Sequence, residues 1–184
     1  MIVESKYRER SLEGEKATTR RIVFDSQAEQ AWFLRCMVDE YRGMLALRQV
    51  AKAIAFDKYG APPKHHLAQA LALADWVQKN IEYVNEGTEI FQTPPRTLRV
   101  GFGDCDDHTT LLATLLECLG IPAQIVVLWW ERGYRHVYPR ALVQLGGRRR
   151  WVALDTTLST PVGQLRNPLV IAARTHPDLR MLRV

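Results

Sequence analysis

The sequence predicts an α+β fold: an N-terminal helical lobe, a central helix carrying a cysteine, and an antiparallel β-sheet packed on that helix. Three observations lead there. Apolar residues recur at helical spacing from about Ala28 to Lys58, and again from about Lys64 to Asn80. Leu111, Leu112, Leu115, Leu116 and Leu119 mark one face of a further helix that starts near Asp104. Beyond it the pattern changes to β-prone runs, with Gly146-Gly147 between two of them as a hairpin signal.

Taken in order, residues 1–20 are dense in Lys, Arg and Glu and read as a solvated arm, or as an arm that docks on a partner or on the chain's own domain. Arg21 to Phe24 suits a short strand. Ser26 and Glu29 have capping-box spacing and start the first helix. Gly43 divides the long helical pattern, and Cys36 falls on its apolar side, as a core thiol would. Tyr59-Gly60-Ala61-Pro62-Pro63 ends the pattern. His65-His66 opens the next helix. Adjacent side chains diverge there and no companion ligands lie nearby, so the pair reads as surface rather than metal-binding. Ile81 to Val84 is expected to be extended. Asn85 to Arg99 reads as a long loop that presents Phe91, Gln92 or Pro94 near Cys105. Gly120 and Ile121-Pro122 stop the cysteine helix, with Cys118 on its apolar side. Ala123 to Trp130 is a buried strand, and Glu131-Arg132-Gly133 turns into the next. Arg148-Arg149-Arg150 is a solvated turn. The tail, with Val170 to Ala173 as a short packed segment, wraps the domain or meets a partner. The chain thus divides into an arm with a short strand (1–24), a central domain (25–160) and a C-terminal extension (161–184).

Composition narrows the class. The chain has 184 residues, 47% hydrophobic and 24% charged, which suits one globular domain with a sizeable core. A net charge of +5 is too modest to indicate nucleic-acid binding. Three cysteines at wide spacing make no disulfide framework. With no apolar leader at Met1 to Lys6, they point to a reducing, cytoplasmic setting. No run is long enough for a membrane span.

The stretch Gly103-Asp104-Cys105-Asp106-Asp107-His108 carries the chemistry. Asp104 is a good N-cap, which places Cys105 in the first helical turn. Free N–H groups there favour a thiolate and can hold a developing oxyanion. Asp106 and Asp107 oppose the thiolate, so a base must help. Alternatively, Cys105 is a small structural thiol in a well-capped helix. Cys105-x-x-His108 is half of a zinc pattern whose other half is missing. His108 reads as a first-turn surface residue or as support for the site.

The hairpin supplies a base. With Gly146-Gly147 at the turn, Leu145 faces Arg148, Tyr138 faces Asp155 and His136 faces Thr157. His136 and Asp155 then share a face one diagonal apart, roughly 7–8 Å between backbones, unless a bulge shifts the register. Cysteine, histidine and aspartate so arranged are nucleophile, base and orienter.

The strings Trp76-Val77, Ile81-Glu82-Tyr83-Val84, Pro94 with Thr97-Leu98, Gly103 to His108, Leu119-Gly120-Ile121-Pro122-Ala123, His136-Val137, Trp151 and Leu154-Asp155 resemble the transglutaminase-like superfamily. These are papain-like cysteine enzymes with circularly rearranged elements. The resemblance runs from about residue 70 to residue 157. It implies a papain-like fold with Cys105 as nucleophile, His136 as general base and acid, and Asp155 as orienter. It also implies cofactor-free acyl transfer through a thioester to a protein or peptide substrate, by hydrolysis in preference to transamidation. The Cys105 N–H is one expected oxyanion donor; Gln92, Tyr83 or Trp76 supplies the other. A closer similarity to short members encoded near tail genes of tailed phages implies a virion or assembly role through the terminal arms as the rival reading. Calcium is not expected, because no dense acidic loop like an EF-hand is present.

Overall fold

A computed structural model describes residues 3–9, 18–85, 90–130, 135–163 and 179–184. The N-terminal strands β1 (Val3–Glu9) and β2 (Thr18–Phe24) pair antiparallel. Helix α1 (Gln27–Tyr41) starts where the sequence places it: the Ser26 hydroxyl accepts the Glu29 N–H at 3.2 Å. The Glu29 carboxylate reaches back to the Asp25 N–H at 2.7 Å, one residue earlier than the standard box. The chain breaks at Gly43 and resumes as α2 (Leu45–Lys52), with a π-helical continuation over Ala53–Lys58. Helix α3 (His66–Asn80) is capped by His65, whose Nδ1 accepts the Ala68 N–H at 3.1 Å.

Of the expected loop over residues 85–99, the part from Ile90 onward is mostly a strand and a helix. Strand β4 (Ile90–Gln92) pairs parallel with β1, so the N-terminal segment docks on the chain's own domain. Helix α4 (Pro94–Val100) follows, with Thr93 at its N-cap and prolines in its first turn. Proline breaks a helix interior but suits this position, where its missing N–H has no intrahelical partner. Strands β3 (Glu82–Tyr83) and β5 (Phe102–Gly103) form a short parallel pair, which holds the approach to α5 (Cys105–Cys118).

The main sheet has the order β8-β7-β6-β9, with all neighbours antiparallel. Strands β6 (Ala123–Trp130), β7 (Arg135–Leu145) and β8 (Arg148–Ala153) are the expected meander. Leu145 faces Arg148 and Arg140 faces Ala153, the register expected from the Gly146-Gly147 turn. Strand β9 (Leu179–Arg183), from the C-terminal extension, adds a fourth strand beside β6. Residues 131–134 and Val170 to Ala173 lie outside the described residues.

Helix α5 is the centre of the core. Leu111, Leu112, Leu115 and Leu116 are fully buried and join one apolar cluster with α1, α2, α3 and the sheet residues Ile125, Val127, Val137, Ala141, Val143, Val152 and Leu154. The other face of the sheet buries a smaller cluster around Val126, Leu128, Tyr138 and Ala153. Phe91 belongs to the core: it is fully buried against Phe24 and Phe33, with ring centroids 5.9 and 5.3 Å away. Of the three residues expected near Cys105, Gln92 is the one that bonds the cysteine turn, through Asp107. Cys36, expected inside, is exposed. Trp32, one helical turn before it, is 62% exposed, so this stripe of α1 faces outward despite its apolar residues. Arg148, Arg149 and Arg150 are exposed, though they belong to β8 rather than to the turn.

Candidate active site

Cys105 is the first residue of α5 and is half-buried. Its position is fixed from both sides. Behind it, the Asp104 carboxylate accepts the Asp106 and Asp107 N–H groups at 3.0 and 3.4 Å, an N-cap for two of the four donors a helix start leaves over. Before it, Gly103 pairs with Tyr83, and the Val84 N–H donates to the Gly103 carbonyl at 2.9 Å. Glycine is required at 103 by contact: a Cβ there would lie 2.5 Å from the Asp107 Cβ and 2.6 Å from its Oδ2.

Asp107 is buried and turned away from the role of a loose negative charge. Its Oδ1 accepts the Gln92 backbone N–H at 2.7 Å and its Oδ2 accepts the Gln92 side-chain amide at 2.8 Å. The same amide nitrogen donates to the Phe102 carbonyl at 3.0 Å. Both hydrogens of that amide are thus engaged, and the Gln92 Oε1 is buried without a partner. As placed, Gln92 ties β4 to the cysteine turn and has no amide hydrogen left for an oxyanion. Of the other expected donors, Trp76 packs half-buried against the main core. Tyr83 is 47% exposed, its ring edge-on to His108 with centroids 6.0 Å apart.

His136 and Asp155 are together. Their side chains are almost wholly buried, and His136 Nε2 lies 2.6 Å from Asp155 Oδ2. A carboxylate only accepts, so Nε2 is the nitrogen that carries the proton in this contact, and Nδ1 is the ring nitrogen Asp155 leaves over. The other carboxylate oxygen accepts the Thr157 N–H at 3.1 Å and its hydroxyl at 2.7 Å. Tyr138 stacks beside the imidazole, centroids 6.1 Å apart and planes 23° from parallel. Burial pushes the Tyr138 phenol up to about 12, so it stays neutral.

The meander packs on α5 as expected, but through Val137, Ala141 and Val143. His136 falls in the alternating set with Tyr138. Helix α5 also touches the strand end beyond β8, where Asp155 lies. His108, in the first turn of α5, has Nδ1 3.0 Å from the Thr156 hydroxyl, and Thr156 is the neighbour of Asp155. His108 is 1% exposed, so of its two expected placements the surface one is excluded. Burial lowers its pKa to about 4, against smaller opposing effects of the Glu82 backbone and Asp155. Thr156 and Thr157 were not singled out from sequence, although Asp followed two residues on by Thr is an Asx-turn signal. Among the described residues, no group of three or more His, Cys, Asp or Glu side chains is placed to hold a metal. No described helix is long and apolar enough to cross a membrane.

Comparison with known proteins agrees with this architecture. No curated protein matches the chain in sequence. Among solved structures, a "putative cysteine protease" from Cytophaga hutchinsonii aligns with TM-score 0.51 and 18% identity, over 87% of this chain and 54% of that one. A "putative protease" from Parabacteroides distasonis aligns with TM-score 0.53 and 14% identity, over 84% of this chain and 34% of that one. Legionella pneumophila LapG aligns at TM-score 0.48 and 16% identity, over 82% of this chain and 81% of its own. The chain therefore spans about half and about a third of the first two, and identities this low speak to the fold alone. The model of the transglutaminase-like superfamily matches residues 52–156, a span that contains Cys105, His136 and Asp155. The chain belongs to the transglutaminase-like superfamily.

Proposed function

We propose that this chain is a cysteine-dependent acyl-transfer enzyme that hydrolyses peptide or amide bonds, with Cys105, His136 and Asp155 as a triad. One observation carries the reading: a buried His136–Asp155 pair, 2.6 Å apart, in a domain whose central helix begins with a half-buried cysteine. Asp155 orients the ring and favours its charged form, and Nδ1 takes the thiol proton. The Cys105 sulfur attacks the substrate carbonyl carbon. A C–S bond forms, and the carbonyl electron pair moves to oxygen, which the Cys105 backbone N–H at the helix start receives. Collapse breaks the C–N bond, and His136 gives its proton to the leaving amine. His136 then deprotonates a water that attacks the thioester; the C–S bond breaks, and the acid leaves with the thiolate restored.

The partner in this reading is a protein or peptide. A role in tailed-phage virions or their assembly is tested by the gene's neighbourhood, and a cytoplasmic location by cell fractionation. The test of activity is digestion of a denatured protein mixture in H2(18)O, read by mass spectrometry against Cys105→Ala. Hydrolysis predicts new carboxyl termini carrying one heavy oxygen, absent with the variant. New amide cross-links without heavy oxygen would indicate transamidation. Neither product with the wild-type chain would overturn the enzyme reading.

A further inference from the structure

We propose that His108 is a positioning residue: through its hydrogen bond to Thr156 it fixes the Asp155 turn against the first turn of α5, and so sets the His136 imidazole relative to the Cys105 thiol. The inference rests on the triad reading and assigns His108 and Thr156 a part in it. His108 stands three residues after Cys105, which puts the two on neighbouring positions of one helix face. Its Nδ1 meets the Thr156 hydroxyl at 3.0 Å, and both residues are buried, 1% and 4% exposed. Thr156 lies between the two residues that define the aspartate: Asp155 holds His136, and Thr157 holds Asp155 with its N–H and hydroxyl. On the other side, the His108 ring rests against Tyr83, which is paired in register with Gly103. His108 therefore touches the strand paired to the segment leading into Cys105, and the segment leading out of Asp155.

The protonation state agrees. Burial keeps the ring neutral through the working range, with Asp155 the carboxylate that faces it and Tyr83 its aromatic neighbour. The Glu82 backbone acts on the ring as well, though Nε2 has no partner at full hydrogen-bond geometry. A buried ring with one strong bond, made to the residue next to the orienter, is a strut and not a second base.

The test uses the full chain and the rate of iodoacetamide alkylation at Cys105 against pH, read by mass spectrometry. The variants are Thr156→Val, Thr156→Ser, His108→Phe and His136→Ala, and buried Cys118 serves as a folding probe. Thr156→Val removes the hydroxyl at nearly constant volume. It should lower the reactivity of Cys105 below pH 7 by about ten- to a hundredfold, the scale of a small misplacement of reacting groups, while Cys118 stays protected. Thr156→Ser should restore it, and His108→Phe should match Thr156→Val. If His136→Ala changes the profile but Thr156→Val and a folded His108→Phe do not, the strut is wrong and the triad stands. If the wild-type profile ignores His136, there is no pair to position and both readings fall.

Discussion

Asp107 holds Gln92 twice, accepting its backbone N–H at 2.7 Å and its side-chain amide at 2.8 Å. The pair welds strand β4 to the turn that presents Cys105. Removing the carboxylate leaves buried donors unsatisfied, so Asp107→Ala should destabilise the fold by about 3 kcal/mol, measured by urea denaturation. Gly103→Ala forces a Cβ into the Asp107 side chain and should lose about 1–3 kcal/mol through overpacking. The same variants should slow Cys105 alkylation, because the cysteine turn moves with them.

Asp155→Asn separates orientation from stability. The amide can still accept from Thr157 through its oxygen, but it presents an N–H group to His136 Nε2 and inverts the tautomer. Activity on a peptide substrate should fall by roughly a thousandfold or more, with a melting temperature within a few degrees of wild type. A variant of undiminished activity would remove Asp155 from the triad.

Burial of His108 gives the chain an acid sensitivity above the carboxylate range. Its pKa falls from 6.5 to about 4 on folding, so between those values the unfolded chain binds the extra proton. Stability from the neutral ring is complete above pH 6.5 and is lost as the pH drops towards 4, with a limit on the order of 3 kcal/mol. Urea midpoints at pH 7.5 and 5 should differ more in wild type than in His108→Phe.

At the opposite end of α5, Glu117 accepts Arg35 at 2.8 Å and Arg42 at 2.9 Å. Burial, the largest single effect, raises the Glu117 carboxyl, but the hydrogen bonds from Arg35 and Arg42, the Arg35 charge and the Ala123 N–H together outweigh it and hold its pKa below the usual range. Arg35 also donates to the Ala123 carbonyl at 3.2 Å, so one guanidinium joins α1, α5 and β6. Arg35→Ala leaves a half-buried carboxylate with one partner fewer and should lose about 2–3 kcal/mol, checked by thermal melting.

Local chemistry made much of this legible in the sequence. Asp104 and Ser26 cap the helices they were expected to cap, because a cap needs only its next few residues. Gly146-Gly147 set the hairpin register, and that register carried the His136–Asp155 pairing, one diagonal apart. What was missed depends on distant partners. Pro94-Pro95 read as loop because proline starts helices as readily as it ends them. Strand β1 finds β4 across more than eighty positions, with nothing local to announce a parallel pairing. Gln92 looked like a free donor until Asp107 occupied it, and Cys36 sat on an apolar stripe that stays exposed among the described residues.

The central claim is that Cys105 and His136 act as one acid–base pair, and the most direct measurement is the alkylation rate of each cysteine against pH in wild type and His136→Ala. Exposed Cys36 is the built-in reference, and Cys118, buried and with its thiol pKa pushed up by that burial, is the folding control. The account predicts that Cys105 outpaces Cys36 below pH 7 in the wild type and loses that advantage in the variant. A Cys105 that reacts no faster than Cys36 at any pH, or whose rate is untouched by the loss of His136, would contradict it.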